Sequence, residues 1–228
     1  MCRIVVNVKA KNSLNRELVV ESALRIVDTS GLEALTVRKV ADEFGVTPMA
    51  LYWHFSNKEA LLDAVGDAVV AGMGLPDPDL GLEGYLRDAM TALVDAMREH
   101  PHATPLVPHR LLMVEAGRDL TEMTLRKLVD EGFAIDKAAA VAHYALMMSM
   151  TLVVGEPGKE TTVKPADRDE ALAAKMSLLQ SLPEDSYPLL RAAAPSMVNC
   201  ADSDDYYGSA IDIFVAGVMA EARALPTS

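Results

Sequence analysis

Residues 36 to 58, TVRKVADEFGVTPMALYWHFSNK, decide the fold. Thr36 is placed to N-cap a helix whose inner face is Val37, Val40, Ala41 and Phe44, the i, i+3, i+4, i+7 spacing of a half-buried helix. Gly45 ends it, because a glycine after the last turn accepts the left-handed conformation that closes a helix. Thr47 and Pro48 then restart the chain as a second helix. The threonine is the cap, and the proline takes a first helical position that needs no N–H donor. A helix, a three-residue turn and a second short helix make a shape that enters the major groove of DNA. The second helix carries Thr47, Pro48, Met49, Tyr52, Trp53 and His54, with Lys58 just beyond it. Hydroxyl, apolar, aromatic and cationic groups in that order suit base edges and phosphates. For Tyr52 and Trp53 core packing is the alternative reading, and for Trp53 alone an equally open one.

The flanking residues agree with this layout. Asn15 is placed to cap a first helix with Val19, Ala23, Ile26 and Val27 on one face, ended at Gly31. Ser56 and Glu59 read as a capping box for a fourth helix, in which Leu61, Leu62, Val65 and Val69 recur at helical spacing. Starts, periods and stops point to one arrangement, and that consistency outweighs any single signal.

On the string LYWHFSNK, and on the ungapped layout of LNRELVVESALRIVDTSGLEALTVRKVADEFGVTPMALYWHFSNKEALLDAV, the chain resembles the TetR family of bacterial transcriptional repressors. The likeness is strongest to the branch around the tetracycline repressor. It covers roughly the first third of the chain, and beyond residue 80 it rests on length and helical pattern. The resemblance implies an all-α protein: a three-helix DNA-binding domain with a helix-turn-helix, and a larger C-terminal helical domain for ligand binding and dimerisation. The expected division is a flexible arm over 1–13, a DNA-binding domain with its connecting helix over 14–72, and the C-terminal domain over 73–228. The resemblance also implies that Thr36, Val37, Arg38, Thr47, Pro48, Met49, Tyr52, Trp53, His54 and Lys58 meet DNA. Thr47, Pro48 and Met49 fall where the family reads base edges; Thr36, Tyr52, Trp53, His54 and Lys58 fall where it holds phosphates or steers the helix. The tetracycline-specific member has a glutamine where this chain has Pro48, so a different operator is expected.

Charge and composition bound the remaining possibilities. Residues 1 to 58 hold eight cations (Arg3, Lys9, Lys11, Arg16, Arg25, Arg38, Lys39, Lys58) against six acids (Glu17, Glu21, Asp28, Glu33, Asp42, Glu43), a net +2. The whole chain is −12, so the rest carries −14. A mildly basic head on an acidic body suits orientation on a duplex, although acidic helix faces are also ordinary solvated surface. No run approaches the ~18 consecutive apolar residues of a membrane helix, and MCRIVVNVKAKNS lacks the apolar stretch and cleavage site of a signal peptide. A cytoplasmic protein with no membrane partner is expected. Cys2 and Cys200 are isolated and read as free. No nucleophile elbow, phosphate-cradling loop or dinucleotide fingerprint is present, so neither an enzyme nor a cofactor is expected. His100, His102 and His109 with Glu115 are the sole hint of a metal-dependent hydrolase; loop histidines are the plainer reading, and no metal ligand set is assigned.

After a Gly- and Pro-rich break at 72 to 81, helical spacing continues. Helices are expected from Leu82 to near His100, over Leu106–Val114, Asp119–Asp130, Lys137–Val154 with Asp136 as cap, Glu170–Ser181 and Ser209–Ala224, with a mobile polar loop over Lys159–Asp169. Two of them are very apolar. Val141, Ala145, Met148 and Leu152 beside Ala138, Ala142 and Ser149 form one surface; Ala216, Gly217 and Ala220 in the last helix form another. The resemblance implies that these helices pair across a twofold axis in a homodimer; burial within one subunit would leave the same pattern. It further implies a small-molecule effector that releases operator DNA, and His109, Arg110, Met113, Tyr144 and Met147 are the candidate pocket residues. In the family's tetracycline-specific member, magnesium-tetracycline needs two histidines and a carboxylate. The matching positions are His109, Met147 and the Gly155–Glu156 pair, and a thioether suits Mg²⁺ poorly. The methionines and Tyr144 favour an apolar or aromatic effector. An activator, or a DNA binder without an inducer, shares the same head.

Overall fold

The computed structural model describes residues 15–161, 163 and 165–225, and every regular element among them is helical. The arm over 1–13 and Cys2 lie outside the described residues. Helix α1 (Arg16–Ser30) is capped by Asn15, whose side-chain oxygen accepts from the Leu18 amide, and buries Val19, Ala23, Ile26 and Val27. Helix α2 (Val37–Phe44) is capped by Thr36 Oγ1, which accepts from the Lys39 amide at 3.1 Å. Gly45 closes it at φ 63°, in the left-handed region, and its amide and that of Val46 return to the Asp42 and Ala41 carbonyls.

Helix α3 (Pro48–Leu51) is a single turn, and α4 (Lys58–Ala71) follows. The α4 cap is Asn57, not Ser56: Asn57 Oδ1 accepts from the Ala60 amide at 2.7 Å. The helix begins at Lys58, so the capping position falls on the asparagine, which caps as well as a serine does.

In the second half, α5 (Leu82–Glu99) lies against α7 (Glu115–Asp130), α8 (Ile135–Val154) and α11 (Ser203–Arg223), burying Tyr85, Leu86, Met90, Leu93 and Met97. The expected helix over Leu106–Val114 is broken into three turns: 3-10 at Thr104–Leu106, α6 at Val107–Arg110, and 3-10 at Leu111–Met113. Pro105 and Pro108 each remove a backbone donor there. The position before α8 is Ala134, and Asp136 lies inside the first turn, where its charge favours the positive helix end without capping it. Helix α11 starts at Ser203 because Asp202 accepts from the Asp204 and Asp205 amides. Between α8 and α11 stand α9 (Arg168–Ser181) and α10 (Pro188–Val198), packed on each other. Sequence periodicity misses α10, which carries Pro195 in its interior.

The apolar surfaces divide in a way the sequence leaves open. In α8, Ala138, Val141, Ala145 and Ser149 are buried inside the chain, and in α11 so are Ile211, Val215 and Val218. Ala216, Gly217 and Ala220 face outward beside Ile213, which is 74% exposed. Helix α8 is long and apolar enough to cross a membrane by length and composition, with a mean hydropathy of 1.4, and a third of that window is buried in this fold.

Candidate nucleic-acid interface

The recognition turn is anchored by two residues and displays the rest. Leu51 and Phe55 are buried at i, i+4, and the chain between and before them is turned outward. Thr47 and Pro48 are exposed, Met49 is 68% exposed, Tyr52 46% and Trp53 88%. Core packing therefore does not account for Trp53. His54 is half-buried; its carbonyl accepts from Arg16 Nη1 at 2.9 Å, and the Arg16 guanidinium lies 4.4 Å from the centre of the Phe55 ring. That residue fixes the end of α3 from α1.

Around this ridge the cations lie on element starts. Thr36 and Arg38 are exposed at the head of α2 with Lys39 beside them; Val37 is half-buried. Lys58 opens α4, whose first amides and positive helix end favour an anion. The α1–α2 packing is held by the Ser22 hydroxyl, which donates to Glu43, and by Arg25 at 3.4 Å from the same carboxylate.

Helix α4 leaves this head and lies between α1 and the body. Arg110 grips it: Nε and Nη2 donate to the two Asp67 oxygens at 2.7 and 3.0 Å, and Nη1 lies 3.3 Å from Asp63. Hydrogen bonding to Asp67 pushes the Arg110 pKa up, so the fork stays charged. Gly66 is what lets α6 approach, since a Cβ there would sit 2.7 Å from Arg110 Cγ and 3.0 Å from Leu106 Cβ. His100 Nδ1, 3.0 Å from Asp28 Oδ2, ties the end of α5 to α1.

The five expected pocket residues do not form one enclosed site in this conformation. Arg110 is committed to α4; His109, Met113 and Tyr144 are exposed, and Met147 is half-buried. The interior seam lies instead among α5, α7 and α8. It is a cavity of about 30 Å³ bordered by Leu86, Met90, Leu120, Thr124, Ala145 and Leu146. Glu156 is turned away from it. Burial pushes its carboxyl up, but hydrogen bonds from Ser203, Tyr207 and Lys159 outweigh that and hold its pKa below the ordinary glutamate value. Among the described residues no group of three His, Cys, Asp or Glu could hold a metal ion, so the hydrolase reading of the histidine cluster has no ligand set.

Residues 19–65 match the family described as bacterial regulatory proteins, tetR family, and residues 75–222 match the tetracyclin repressor-like C-terminal domain. The chain belongs to the TetR family. It is thus a transcriptional regulator and not an enzyme. The class D tetracycline repressor protein of Escherichia coli is 31% identical over 206 residues, 84% of this chain and 82% of that one. The TetR-family protein ActR of Streptomyces coelicolor, in complex with actinorhodin, superposes with a TM-score of 0.72 at 25% identity, covering 92% of this chain and 98% of that one. BioQ with its double-stranded DNA operator superposes with a TM-score of 0.55 at 31% identity over 61% of this chain and 88% of that chain.

Several contacts that hold the head of this TetR-family chain to α4 and the body escape sequence reading. The Leu51 and Phe55 anchors carry a signal, the i, i+4 spacing in LYWHF. Arg16 and the Asp63–Asp67 pair carry none, because their partners lie 38 and about 45 residues away in sequence.

Proposed function

We propose that the protein is a homodimeric, ligand-responsive repressor in which residues 14–72 bind a palindromic operator and residues 73–228 dimerise and bind an effector. The observation that carries the DNA reading is the ridge of Thr47, Pro48, Met49, Tyr52 and Trp53 held in solvent over buried Leu51 and Phe55. The Trp53 indole, 88% exposed, stands with Met49 and Tyr52 in one exposed apolar patch, the kind of surface that marks an interaction site. Thr47, Pro48 and Met49 meet base edges, with apolar contact to thymine methyl groups; Thr36, Val37, Arg38, Tyr52, Trp53, His54 and Lys58 hold the backbone or set the helix in the groove. The operator structure of BioQ supports this use of the head.

Dimerisation is supported by surface that one chain leaves uncovered. No residue of α9 is buried, Leu189 of α10 is 82% exposed, and the outer face of α11 presents Ile213, Ala216, Gly217 and Ala220. A symmetric pair of heads also supplies the second half-site that one small head lacks.

The effector is apolar or aromatic and enters the seam between α5, α7 and α8, which must widen to admit it. The lining of the seam itself, Leu86, Met90, Leu120, Thr124 and Leu146, meets the ligand there, and Arg110, which grips α4, passes the movement on. Release follows if the effector prefers the body conformation that α4 transmits as a wrong head spacing. The complex of the similar ActR with actinorhodin supports a small-molecule ligand in this domain. The protein acts in the cytoplasm, without a cofactor or membrane. A mobility-shift titration on DNA flanking its own gene, repeated with aromatic metabolites, tests the proposal. Retarded complexes that dissolve with ligand are expected, and binding indifferent to sequence would overturn it.

A further inference from the structure

The charge that makes the head basic does not lie on its packed helices. Of the eight cations in residues 1–58, the described head carries five, Arg16, Arg25, Arg38, Lys39 and Lys58, against all six acids of that stretch. One of the five, Arg25, is paired with Glu43 at 3.4 Å. The other three cations, Arg3, Lys9 and Lys11, stand in residues 1–14, which hold no acid. A duplex carries one negative charge per ~1.7 Å of its axis, and cations that meet phosphates supply the sequence-independent share of affinity. A packed head with no net positive charge, joined to a body of −14, supplies little of that share.

The fold brings residues 1–14 in at the edge where such cations are useful. The chain enters α1 through Asn15, exposed and extended, and the next residue reaches the recognition turn. Arg16 Nη1 donates to the His54 carbonyl at 2.9 Å, and its guanidinium lies 4.4 Å from the centre of the Phe55 ring. Because that partner is a neutral carbonyl, Arg16 keeps its own charge there. Residues 1–14 therefore join the head beside the end of the turn that carries exposed Trp53. At ~3.5 Å per residue, Lys11 and Lys9 stand within about 14 and 21 Å of Asn15, and Arg3 within about 42 Å. That reach spans several successive phosphates.

We propose that residues 1–14 are a DNA-binding arm in which Arg3, Lys9 and Lys11 hold backbone phosphates flanking the bases met by α3. The proposal deepens the reading of the head as a DNA reader and rests on it. Such an arm carries affinity and not sequence choice, because phosphate contacts hold no base identity.

The test combines Arg3→Ala, Lys9→Ala and Lys11→Ala in the full chain. Retardation of the DNA flanking its own gene, and of a shuffled duplex of equal length, is followed across a salt series. The triple variant should bind both duplexes about tenfold or more weakly at ~50 mM salt and keep the ratio between them. Its logarithmic salt dependence should be flatter by about 3 units for each protomer bound, the share of three phosphates. Urea unfolding should be unchanged, which a structural role for these residues would not allow. Lys9→Arg with Lys11→Arg keeps the charge and should bind as the unaltered chain does. An unaltered salt slope in the triple variant, a loss confined to the flanking DNA, or an arginine variant as weak as the alanine one would overturn the arm and leave the head a DNA reader. No retardation of either duplex by the unaltered chain would overturn both.

Discussion

At the scale of single residues, burial separates the side chains that hold the head from those that use it. Leu51 and Trp53 are two positions apart, one 1% exposed and the other 88%. Leu51→Ala should cost about 2–5 kcal/mol of stability, since it deletes a packed side chain and leaves a cavity. Trp53→Ala should stay within about ±0.5 kcal/mol while weakening operator binding tenfold or more. Urea denaturation and DNA titration on the same preparations read both, and a large stability loss in Trp53→Ala would return that residue to the core. Lys58→Ala should weaken binding to all sequences alike and flatten the logarithmic salt dependence by about 1 unit, the share of one phosphate contact. A changed sequence preference with the salt slope intact would assign it to base reading instead.

At the scale of elements, the helix ends that rest on one local residue are the ones the sequence makes legible. Asn15, Thr36, Gly31 and Gly45 act as read, because a cap or a left-handed turn needs only a side chain and its own backbone. Signals shared by neighbours are ambiguous: Ser56 and Asn57 both suit a cap, and only the start of α4 at Lys58 chooses the asparagine. Prolines mislead in both directions, splitting the expected helix at Pro105 and Pro108 yet tolerated at Pro195 inside α10. Long-range polar ties are illegible, and Glu156 is the clearest case. It follows α8 at the place where the resemblance puts a ligand carboxylate, but it is buried and accepts from Ser203 and Tyr207 of α11. Tyr207→Phe should cost about 1–3 kcal/mol, the range for a buried acceptor losing a partner. The sign with pH follows from a carboxyl held low in the native state: its contribution is full above the ordinary glutamate range and fades as pH falls through the native value. Without the Tyr207 hydroxyl that native value rises, so acid unfolding should begin at higher pH. With Glu156 so engaged and Met147 a poor ligand for Mg²⁺, magnesium-tetracycline should neither bind tightly nor release operator; calorimetry showing tight, magnesium-dependent binding would sink that expectation.

At the scale of the whole molecule, one chain cannot say by pattern alone which apolar face meets a copy of itself. Alanines, glycines and large aliphatics at helical spacing serve a core and a seam equally well, and only the packed chain divides them. Val218 and Gly217 are adjacent in sequence and fall on opposite sides of that division. Val218 is 7% exposed and packed inside the subunit, so Val218→Asp would bury an unpaired charge in the core and unfold the chain whatever its oligomeric state. At Gly217 a Cβ would meet nothing within 4 Å, so Gly217→Glu leaves the subunit undisturbed and tests the seam alone. Two extra carboxylates facing each other across a twofold axis, desolvated and unpaired, should split the dimer. Sedimentation should then give a folded monomer with unchanged helical content. Operator affinity should fall with it, because each head keeps its own contacts but loses the half-site about one helical turn, ~34 Å, away. A Gly217→Glu protein that still sediments as a dimer would move the seam off the outer face of α11, leaving the uncovered α9–α10 pair as the surface that joins two copies.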